Sequence, residues 1–308
     1  MTKQPKVKPD SLTPDDNGVC AVVVTYNPTS RLIENLNALV RQVREVAVVD
    51  NGSNAEGQRI LIEALKLGRV SVLYNSENMG IAAALNRGVT YARDHGFYWV
   101  ATFDQDSTAS ESLIHNMLSA WNGCPFRSEV PLIAPRYQDS NTGVISGYAK
   151  DSTAPYAEIT TTITSGNLVQ TKIFDKVGLF AEDFFMDYVD HEFCLRLRSK
   201  GCRLIEVWDA VLMHSLGNMT QHRVFGKTFK TFNHTPLRRY YATRNRIIVC
   251  RRYGLKFPRW LLKDLGNFFR ELAGIVLFET KAGAKIAAVI RGMSDGLLGK
   301  TGKYGGRL

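Results

Sequence analysis

Short apolar runs and amphipathic stretches alternate along the first hundred residues. Val19–Thr25 is a β-branched run, too short for a helix and apolar at both alternating sets of positions. This pattern predicts a strand that is buried on both faces of a parallel sheet. A turn follows at Tyr26-Asn27-Pro28. Ser30 then precedes apolar residues that recur every three or four positions from Leu32 to Val43, which predicts a capped amphipathic helix.

The same cycle continues along the chain. Strands are predicted at Val46–Val49, Val70–Tyr74 and Tyr98–Phe103, and helices near Glu56–Leu67 and Ala82–Asp94. Repeated β–α alternation at this pitch indicates an α/β fold, in which a mainly parallel sheet has helices on both faces.

The pattern loosens into short strands and loops between Pro131 and Thr162. A helix is predicted within Phe184–Lys200 and a strand at Glu206–Met213, and beyond Pro236 the chain is helical and amphipathic. We therefore expect a flexible polar tail over residues 1–17, a main domain over 18–235 and a basic helical C-terminal region over 236–308.

Charge is distributed unevenly over the 308 residues. The net charge is +10, but residues 236–308 contain 16 Lys/Arg and 4 Asp/Glu, a net +12, which leaves −2 for residues 1–235. A basic region beside a near-neutral domain suggests an anionic partner, either a membrane surface or a nucleic acid. No apolar run reaches the roughly 20 residues of a membrane span, and the polar N-terminus lacks a signal-peptide core, so we expect a cytoplasmic protein.

Polar clusters follow three of the predicted strands, at Thr25-Tyr26-Asn27, Asp50-Asn51-Gly52-Ser53 and Asp104-Gln105-Asp106. Ligands of open α/β sheets bind at the carboxyl ends of the strands. Two carboxylates that flank one residue can hold Mg²⁺ or Mn²⁺ together with a diphosphate, although acidic residues after a strand can also simply cap the next helix. Neither a G-x-G-x-x-G nor a P-loop motif is present.

Six ordered motifs together resemble glycosyltransferase family 2, whose members have the GT-A fold. They are VVVTYNP (22–28), VVDNGS (48–53), NMGIAAALNRG (78–88), FDQD (103–106), TSGNLV (164–169) and DYVDHEFCLRLRSKG (187–201). Within that family, the sequence most resembles bacterial rhamnosyltransferases that use dTDP-L-rhamnose to build cell-surface polysaccharide. The implied fold is a mixed, mainly parallel sheet flanked by helices, with a C-terminal helical extension.

The resemblance also implies site residues. The nucleotide-sugar would contact Thr25, Tyr26, Asn27, Asp50, Asn78, Gly80, Asp104, Gln105 and Asp106. Asp50 would accept a hydrogen bond from the imide N–H of a pyrimidine dione, unless it is only a turn residue. In the helix after Gly80, Asn86 offers a further polar group. The cation, Mg²⁺ or Mn²⁺, would be held by Asp104, Asp106 and His214, although a lone histidine can equally be a hydrogen-bonded structural residue.

The family's catalytic base is the second acid of a motif usually written Glu-Asp. That position aligns with Asp190, while Val189 replaces the preceding Glu. Asp187 and Glu192 lie nearby in sequence but do not share the orientation of Asp190 on a helix. The resemblance therefore assigns the base role to Asp190 alone.

The C-terminal region allows several interpretations. The arginines of Arg238–Arg246 could face a diphosphate, anionic lipid or solvent, and the helices after them could lie on a bilayer, pack as an appendage or form a dimer contact. The resemblance implies an inverting rhamnosyltransferase that acts on a lipid-linked or lipopolysaccharide glycan at the cytoplasmic face of the inner membrane. The rivals are a transferase that uses UDP-galactose, UDP-galactofuranose or UDP-glucose, a nucleic-acid-binding protein, and an inactive membrane scaffold.

Overall fold

The computed structural model describes residues 18–139, 143, 145, 154–214, 220–224 and 227–306, and for residues 139, 214, 221–224 and 227–230 it describes only the backbone. The predicted N-terminal tail, residues 1–17, lies outside the described residues.

Strands and helices alternate in the first half of the chain, and helices dominate the last quarter. The described strands are β1 (Val19–Thr25), β2 (Glu45–Asp50), β3 (Val70–Tyr74), β4 (Trp99–Asp104), β5 (Thr108–Ala109), β6 (Leu132–Asp139), β7 (Tyr156–Ile159), β8 (Leu168–Gln170), β9 (Leu204–His214), β10 (Thr220–Val224) and β11 (Lys227–Thr231). The described helices are α1 (Arg31–Val40), α2 (Ala55–Ala64), α3 (Ile81–Asp94), α4 (Leu113–Asn122), α5 (Ile173–Val177), α6 (Val189–Ser199), α7 (Pro236–Tyr253), α8 (Pro258–Phe278) and α9 (Ala282–Leu297).

The main sheet has the order β3-β2-β1-β4-β8-β6-β9-β5, and β7 also pairs with β9. β3, β2, β1 and β4 run parallel to one another, whereas β8 is antiparallel to both β4 and β6. β10 and β11 form a separate hairpin. This mixed, mainly parallel sheet with flanking helices and three C-terminal helices confirms the predicted fold class.

The apolar core forms two layers, one on each face of the sheet. All seven residues of β1 are buried. Val19, Ala21 and Val23 join a layer beneath α1, α2 and α4, whereas the alternate residues of β1 join a layer with α3, α6 and α7. Because successive strand residues point to opposite faces, an uninterrupted apolar run is required for a strand covered on both sides.

The helix predicted within Phe184–Lys200 begins only at Val189, because the residues before it have backbone angles that no α-helix allows. Phe185, Asp187 and Tyr188 all have positive φ, at 64°, 56° and 64°. Such angles cost free energy for residues other than glycine. The segment 184–188 is therefore a compact turn rather than a first helical turn.

The C-terminal helices pack onto the main domain. α7 contacts α6 and lies closely against α9, where a side chain on Gly292 would collide with the Tyr240 carbonyl at 2.6 Å. Val249 of α7 and Trp260 of α8 belong to the core layer that contains α3 and α6. Among the helices in the described ranges, none is long and apolar enough to cross a membrane.

Candidate active site

The register of the parallel strands brings their carboxyl ends to one edge of the sheet. Thr25, the last residue of β1, is paired with Asp50 at the end of β2, and Val24 is paired with Asp104 at the end of β4. The three polar clusters that follow these strands therefore lie side by side, as ligand-binding loops do in open α/β sheets.

A cleft of about 550 Å³ opens at this edge. Its lining includes seven of the nine residues that the sequence predicts to bind the nucleotide-sugar: Thr25, Tyr26, Asn78, Gly80, Asp104, Gln105 and Asp106. The remaining lining residues are not among those nine: Val24, Asn51, Ile81, Ile163, Phe185, Met186, Phe232, His234 and Arg238.

Asp50 lies behind this cleft. Its side chain is fully buried, and its carboxylate accepts hydrogen bonds from the Ser53 backbone N–H (3.1 Å), the Ser53 hydroxyl and the Thr25 hydroxyl (3.4 Å). Asp50 borders a neighbouring recess of about 400 Å³ that Tyr74 also lines. Asn27 borders neither cavity; its side-chain oxygen accepts a hydrogen bond from the Asn54 N–H (2.8 Å), so it shapes the loops around Asp50.

Asn51 organises the loop that presents Asn78 and Gly80. Its amide donates to the Asn78 side chain and the Gly80 carbonyl, both at 3.1 Å, and its side-chain oxygen accepts from the Met79 N–H at 3.0 Å. Gly80 has φ +89°, and a side chain there would meet the Phe185 carbonyl at 2.5 Å. Only glycine allows this close approach. The VVDNGS motif therefore contributes a loop-folding residue as well as Asp50.

The side-chain amide of Gln105, which follows β4, binds the backbone of Tyr26, which follows β1. Its oxygen accepts from the Tyr26 N–H (2.9 Å) and its NH₂ donates to the Tyr26 carbonyl (3.3 Å). The Asp104 backbone N–H donates to the Ser165 hydroxyl (3.1 Å), which explains why the TSGN motif lies against this edge. Asn86, in contrast, is turned away from the cleft, because its side chain bonds to the Phe180 backbone.

The donor set at this edge fits a hard divalent cation. Asp104 and Asp106 both line the cleft, and within the described residues no hydrogen bond or ion pair engages the exposed Asp106 carboxylate. No group of three His, Cys, Asp or Glu side chains that could hold a metal is found in the described part of the chain. The protein would thus supply two carboxylates, with water and phosphate oxygens as the other ligands. His214 ends β9, but its side chain lies outside the described residues.

Two side chains of α7 hold the turn at 184–188. The Asn245 amide donates to the carbonyls of Phe184 (3.0 Å), Met186 (2.7 Å) and Asp187 (3.0 Å). The Arg244 guanidinium, 1% exposed, donates to the Phe184 carbonyl at 3.0 Å. These bonds satisfy backbone groups that no strand or helix pairs, and they stabilise the unfavourable φ angles of the turn.

Asp187 and Asp190 flank the start of α6. Asp190 is half-buried in the first helical turn and does not line the 550 Å³ cleft. Burial raises the pKa of Asp187, the Arg238 guanidinium opposes this, and the charge of Asp190 raises it further. The two carboxylates are therefore neighbours. Glu192 is held by Arg196 (3.0 Å) and Tyr253 (2.8 Å), which gives it a packing role.

The far wall of the cleft is formed by Phe232, His234 and Arg238. Of these, the sequence points only to Arg238, as one of several arginines that could face a diphosphate, lipid or solvent. The rings of Phe232 and His234 stack with centroids 5.6 Å apart. The loop that carries them is held by Glu279, which accepts from the Asn233 N–H at 3.2 Å. The Glu279 side chain is 1% exposed and forms ion pairs with Arg239 (2.7 Å) and Lys285 (2.9 Å). The C-terminal region thus builds part of the site.

Most arginines of Arg238–Arg246 face neither diphosphate nor lipid nor solvent. Arg239, Arg244 and Arg246 are each at most 5% exposed. Arg246 pairs with Asp264 (3.1 Å) and Glu271 (3.0 Å) of α8. The predicted contacts of this segment with a diphosphate, anionic lipid or solvent are therefore wrong for these three residues. Their guanidinium groups bind internal carboxylates and carbonyls instead.

Comparison with known proteins supports a transferase. The family model described as "Glycosyl transferase family 2" matches residues 20–178 of this chain. The chain is also 30% identical over 250 residues to the dTDP-rhamnosyl transferase RfbF of Shigella flexneri, an alignment that covers 77% of this chain and 81% of that protein.

Two solved structures share the fold. The Staphylococcus aureus TarS fragment 1–349 in complex with UDP-GlcNAc superposes with a TM-score of 0.62 at 15% identity, covering 92% of this chain and 81% of that one. The mannosyltransferase PcManGT of Pyrobaculum calidifontis, in complex with GDP-Man and Mn²⁺, gives 0.56 at 16% identity, covering 95% and 91%.

The Glu279 cluster yields a prediction about stability. Glu279→Gln leaves the buried charge of Lys285 without a carboxylate and that of Arg239 with only Glu271, at 3.6 Å, so we expect the free energy of unfolding at pH 7 to fall by about 3 kcal/mol. Glu63→Gln, at an exposed position of α2, should change it by less than about 0.5 kcal/mol. Urea denaturation of the three proteins measures both values.

The stability difference between wild type and Glu279→Gln should depend on pH. Burial alone would raise the pKa of Glu279, but the Lys285 hydrogen bond and the charges of Arg239 and Lys285 bring it below its ordinary value of 4.5. The stabilisation is then present above pH 4.5 and is lost as the pH falls through the lower pKa of the folded state. The stability gap between wild type and Glu279→Gln should close over that acidic range, and a gap independent of pH would contradict this.

Proposed function

The chain belongs to glycosyl transferase family 2, and we propose that it is an inverting rhamnosyltransferase that transfers L-rhamnose from dTDP-β-L-rhamnose to a hydroxyl of a lipid-linked or lipopolysaccharide glycan. The observation that carries the donor assignment is the 30% identity to a dTDP-rhamnosyl transferase over 77% of the chain. UDP-galactose, UDP-galactofuranose and UDP-glucose are the alternative donors.

The geometry suggests where a donor would lie. Asp50 and Tyr74 border the recess next to the main cleft, so we assign the thymine base to that recess. The buried Asp50 carboxylate would accept the imide N–H, and Tyr74, 45% exposed, offers a ring face for stacking. The diphosphate and the sugar would then extend past Thr25 and Asn78 into the 550 Å³ cleft.

A single displacement accounts for inversion at the sugar. Asp190 would accept the proton of the acceptor hydroxyl while that oxygen forms a bond to the anomeric carbon. The bond from this carbon to the diphosphate oxygen breaks at the same time, and its electron pair leaves with dTDP. No covalent sugar intermediate forms, because the acceptor attacks directly.

Asp104 and Asp106 would hold Mg²⁺ or Mn²⁺ against the diphosphate. When bound, the cation stabilises the charge that develops on the departing nucleoside diphosphate. The carboxylates also orient the donor, since Asp104 is fixed at the end of β4 by its backbone bond to Ser165.

Replacement of the proposed base separates chemistry from binding. Asp190→Asn should reduce rhamnosyl transfer by at least about 100-fold while leaving the Kd for dTDP-L-rhamnose within about twofold, because the amide cannot accept the proton. The rate of transfer is measured as the rate of dTDP release. Glu182→Gln, on the surface before α6, is a control that should retain activity. Wild-type turnover in Asp190→Asn would remove Asp190 from the base role.

A lipid-linked acceptor requires the enzyme to reach a membrane, and the surface of α8 and α9 suits one. The four acidic side chains of residues 236–308, Asp264, Glu271, Glu279 and Asp295, all form ion pairs. Lys256, Arg259, Lys263, Lys281 and Arg291 are exposed. Large apolar side chains lie among them, including Leu262 (71% exposed), Phe269 (65%) and Ile290 (62%). We propose that this surface rests on anionic lipid at the cytoplasmic face of the inner membrane.

Vesicle binding tests this surface. The protein should sediment with phosphatidylglycerol vesicles in low salt and much less with phosphatidylcholine vesicles, because the exposed cations attract anionic headgroups. Phe269→Glu should weaken this binding about tenfold. Ile62→Glu, at an equally exposed apolar position of α2, should not change it. Equal loss in both variants would mean that the α8–α9 surface has no special role.

A further inference from the structure

Arg238 differs from the other arginines of α7. Its side chain is 51% exposed, whereas Arg239, Arg244 and Arg246 are buried against internal partners. Arg238 is also the single Lys or Arg among the described residues that line the 550 Å³ cleft. The cleft therefore contains one guanidinium group and the two carboxylates of Asp104 and Asp106.

The backbone and the side chain of Arg238 are both fixed. The residue lies in the first turn of α7, where the Thr235 hydroxyl caps the helix by accepting from the Arg238 N–H at 3.3 Å. The Asp187 carboxylate accepts from Nε at 3.2 and 3.3 Å and lies 3.1 Å from one terminal nitrogen, Nη2. The other terminal nitrogen, Nη1, has no hydrogen bond or ion pair within the described residues, so the guanidinium keeps N–H groups for a ligand.

The other titratable group of this wall adds no positive charge. Burial, together with the charges of Arg238 and Arg239, lowers the pKa of His234 to about 4. His234 is therefore neutral at pH 7. Among the lining residues that the structure describes, Arg238 therefore carries the positive charge of the cleft.

A diphosphate is the ligand that these features match. Guanidinium groups bind phosphate oxygens through paired N–H bonds, and such charge-assisted bonds are stronger than neutral ones. The departing nucleoside diphosphate gains a further negative charge when the bond to the sugar breaks. The two positive charges of a cation at Asp104 and Asp106 would already be offset by these carboxylates and by the diphosphate of the intact donor, so the new negative charge requires another positive group.

We propose that Arg238 binds the diphosphate of the donor and stabilises the charge that forms on it as the sugar leaves, and that Asp187 is the positioning residue that aims the guanidinium. This inference rests on the proposed function. It assigns to the C-terminal region a direct contact with the substrate, in addition to its packing role.

The test compares a ligand with phosphates to one without them. The Kd values of dTDP and thymidine are measured by calorimetry in Mn²⁺ for wild type, Arg238→Gln and Arg93→Gln. Arg93 is a matched control because it is 42% exposed and pairs with Asp175 at 3.5 Å, but lies outside the cleft. Arg238→Gln should weaken dTDP binding by about tenfold or more and leave thymidine binding unchanged. Arg93→Gln should affect neither.

A double variant distinguishes substrate binding from a purely structural role. If Arg238 only neutralised Asp187, then Asp187→Asn combined with Arg238→Gln would restore wild-type affinity for dTDP. The proposal instead expects the double variant to bind dTDP as weakly as Arg238→Gln, and restored affinity would overturn it. Unchanged dTDP binding in Arg238→Gln would also overturn it and leave the proposed function standing. UDP is measured beside dTDP for wild type, and if wild type bound neither nucleotide, both proposals would fail.

Discussion

The turn at residues 184–188 is the constraint on which the rest of the site depends. Its backbone has three positive φ angles outside glycine, and its carbonyl groups are bound by Arg244 and Asn245 from a helix about 60 residues away in sequence. The turn fixes Phe185 against Gly80, and it places Asp187 beside Arg238. Both walls of the cleft thus meet at a segment with unfavourable backbone angles, whose carbonyl groups are held by side chains of α7.

This dependence explains why the C-terminal helices contain buried as well as exposed Lys and Arg side chains. Arg239, Arg244, Arg246 and Lys285 are buried and hold loops and helices together. Of the exposed cations of α8 and α9, Arg291 pairs with Asp295 at 3.9 Å, and the others have no acidic partner in the described ranges. The net charge of residues 236–308 therefore combines two separate uses of arginine and lysine. One is structural and supports the cleft, and the other is available to an external anionic partner.

The sequence predicts the parts of this structure that local patterns determine. The uninterrupted apolar run at β1 and the repeated β–α spacing predict the parallel sheet. The polar clusters at the strand ends predict which edge of the sheet binds a ligand. The turn at 184–188 could not be predicted, because its φ angles are imposed by bonds from Asn245. Arg238 and Arg239 are adjacent in sequence, yet one faces the cleft and the other Glu279, a difference that depends on tertiary packing. Asn51 lies within a motif that the sequence does single out, and only its hydrogen bonds reveal its role as the centre of a loop.

The measurement that tests the account most directly is calorimetric binding of dTDP-L-rhamnose, compared with dTDP-glucose, UDP-galactose and UDP-glucose. Each ligand is titrated into wild type and into Asp106→Ala, with Mg²⁺ or Mn²⁺ present and after the metal is removed. The account predicts that dTDP-L-rhamnose binds most tightly, that removal of the metal weakens it, and that Asp106→Ala loses this metal dependence. Tighter binding of a UDP-sugar would contradict the rhamnose assignment, and metal-independent binding would contradict the role of Asp106.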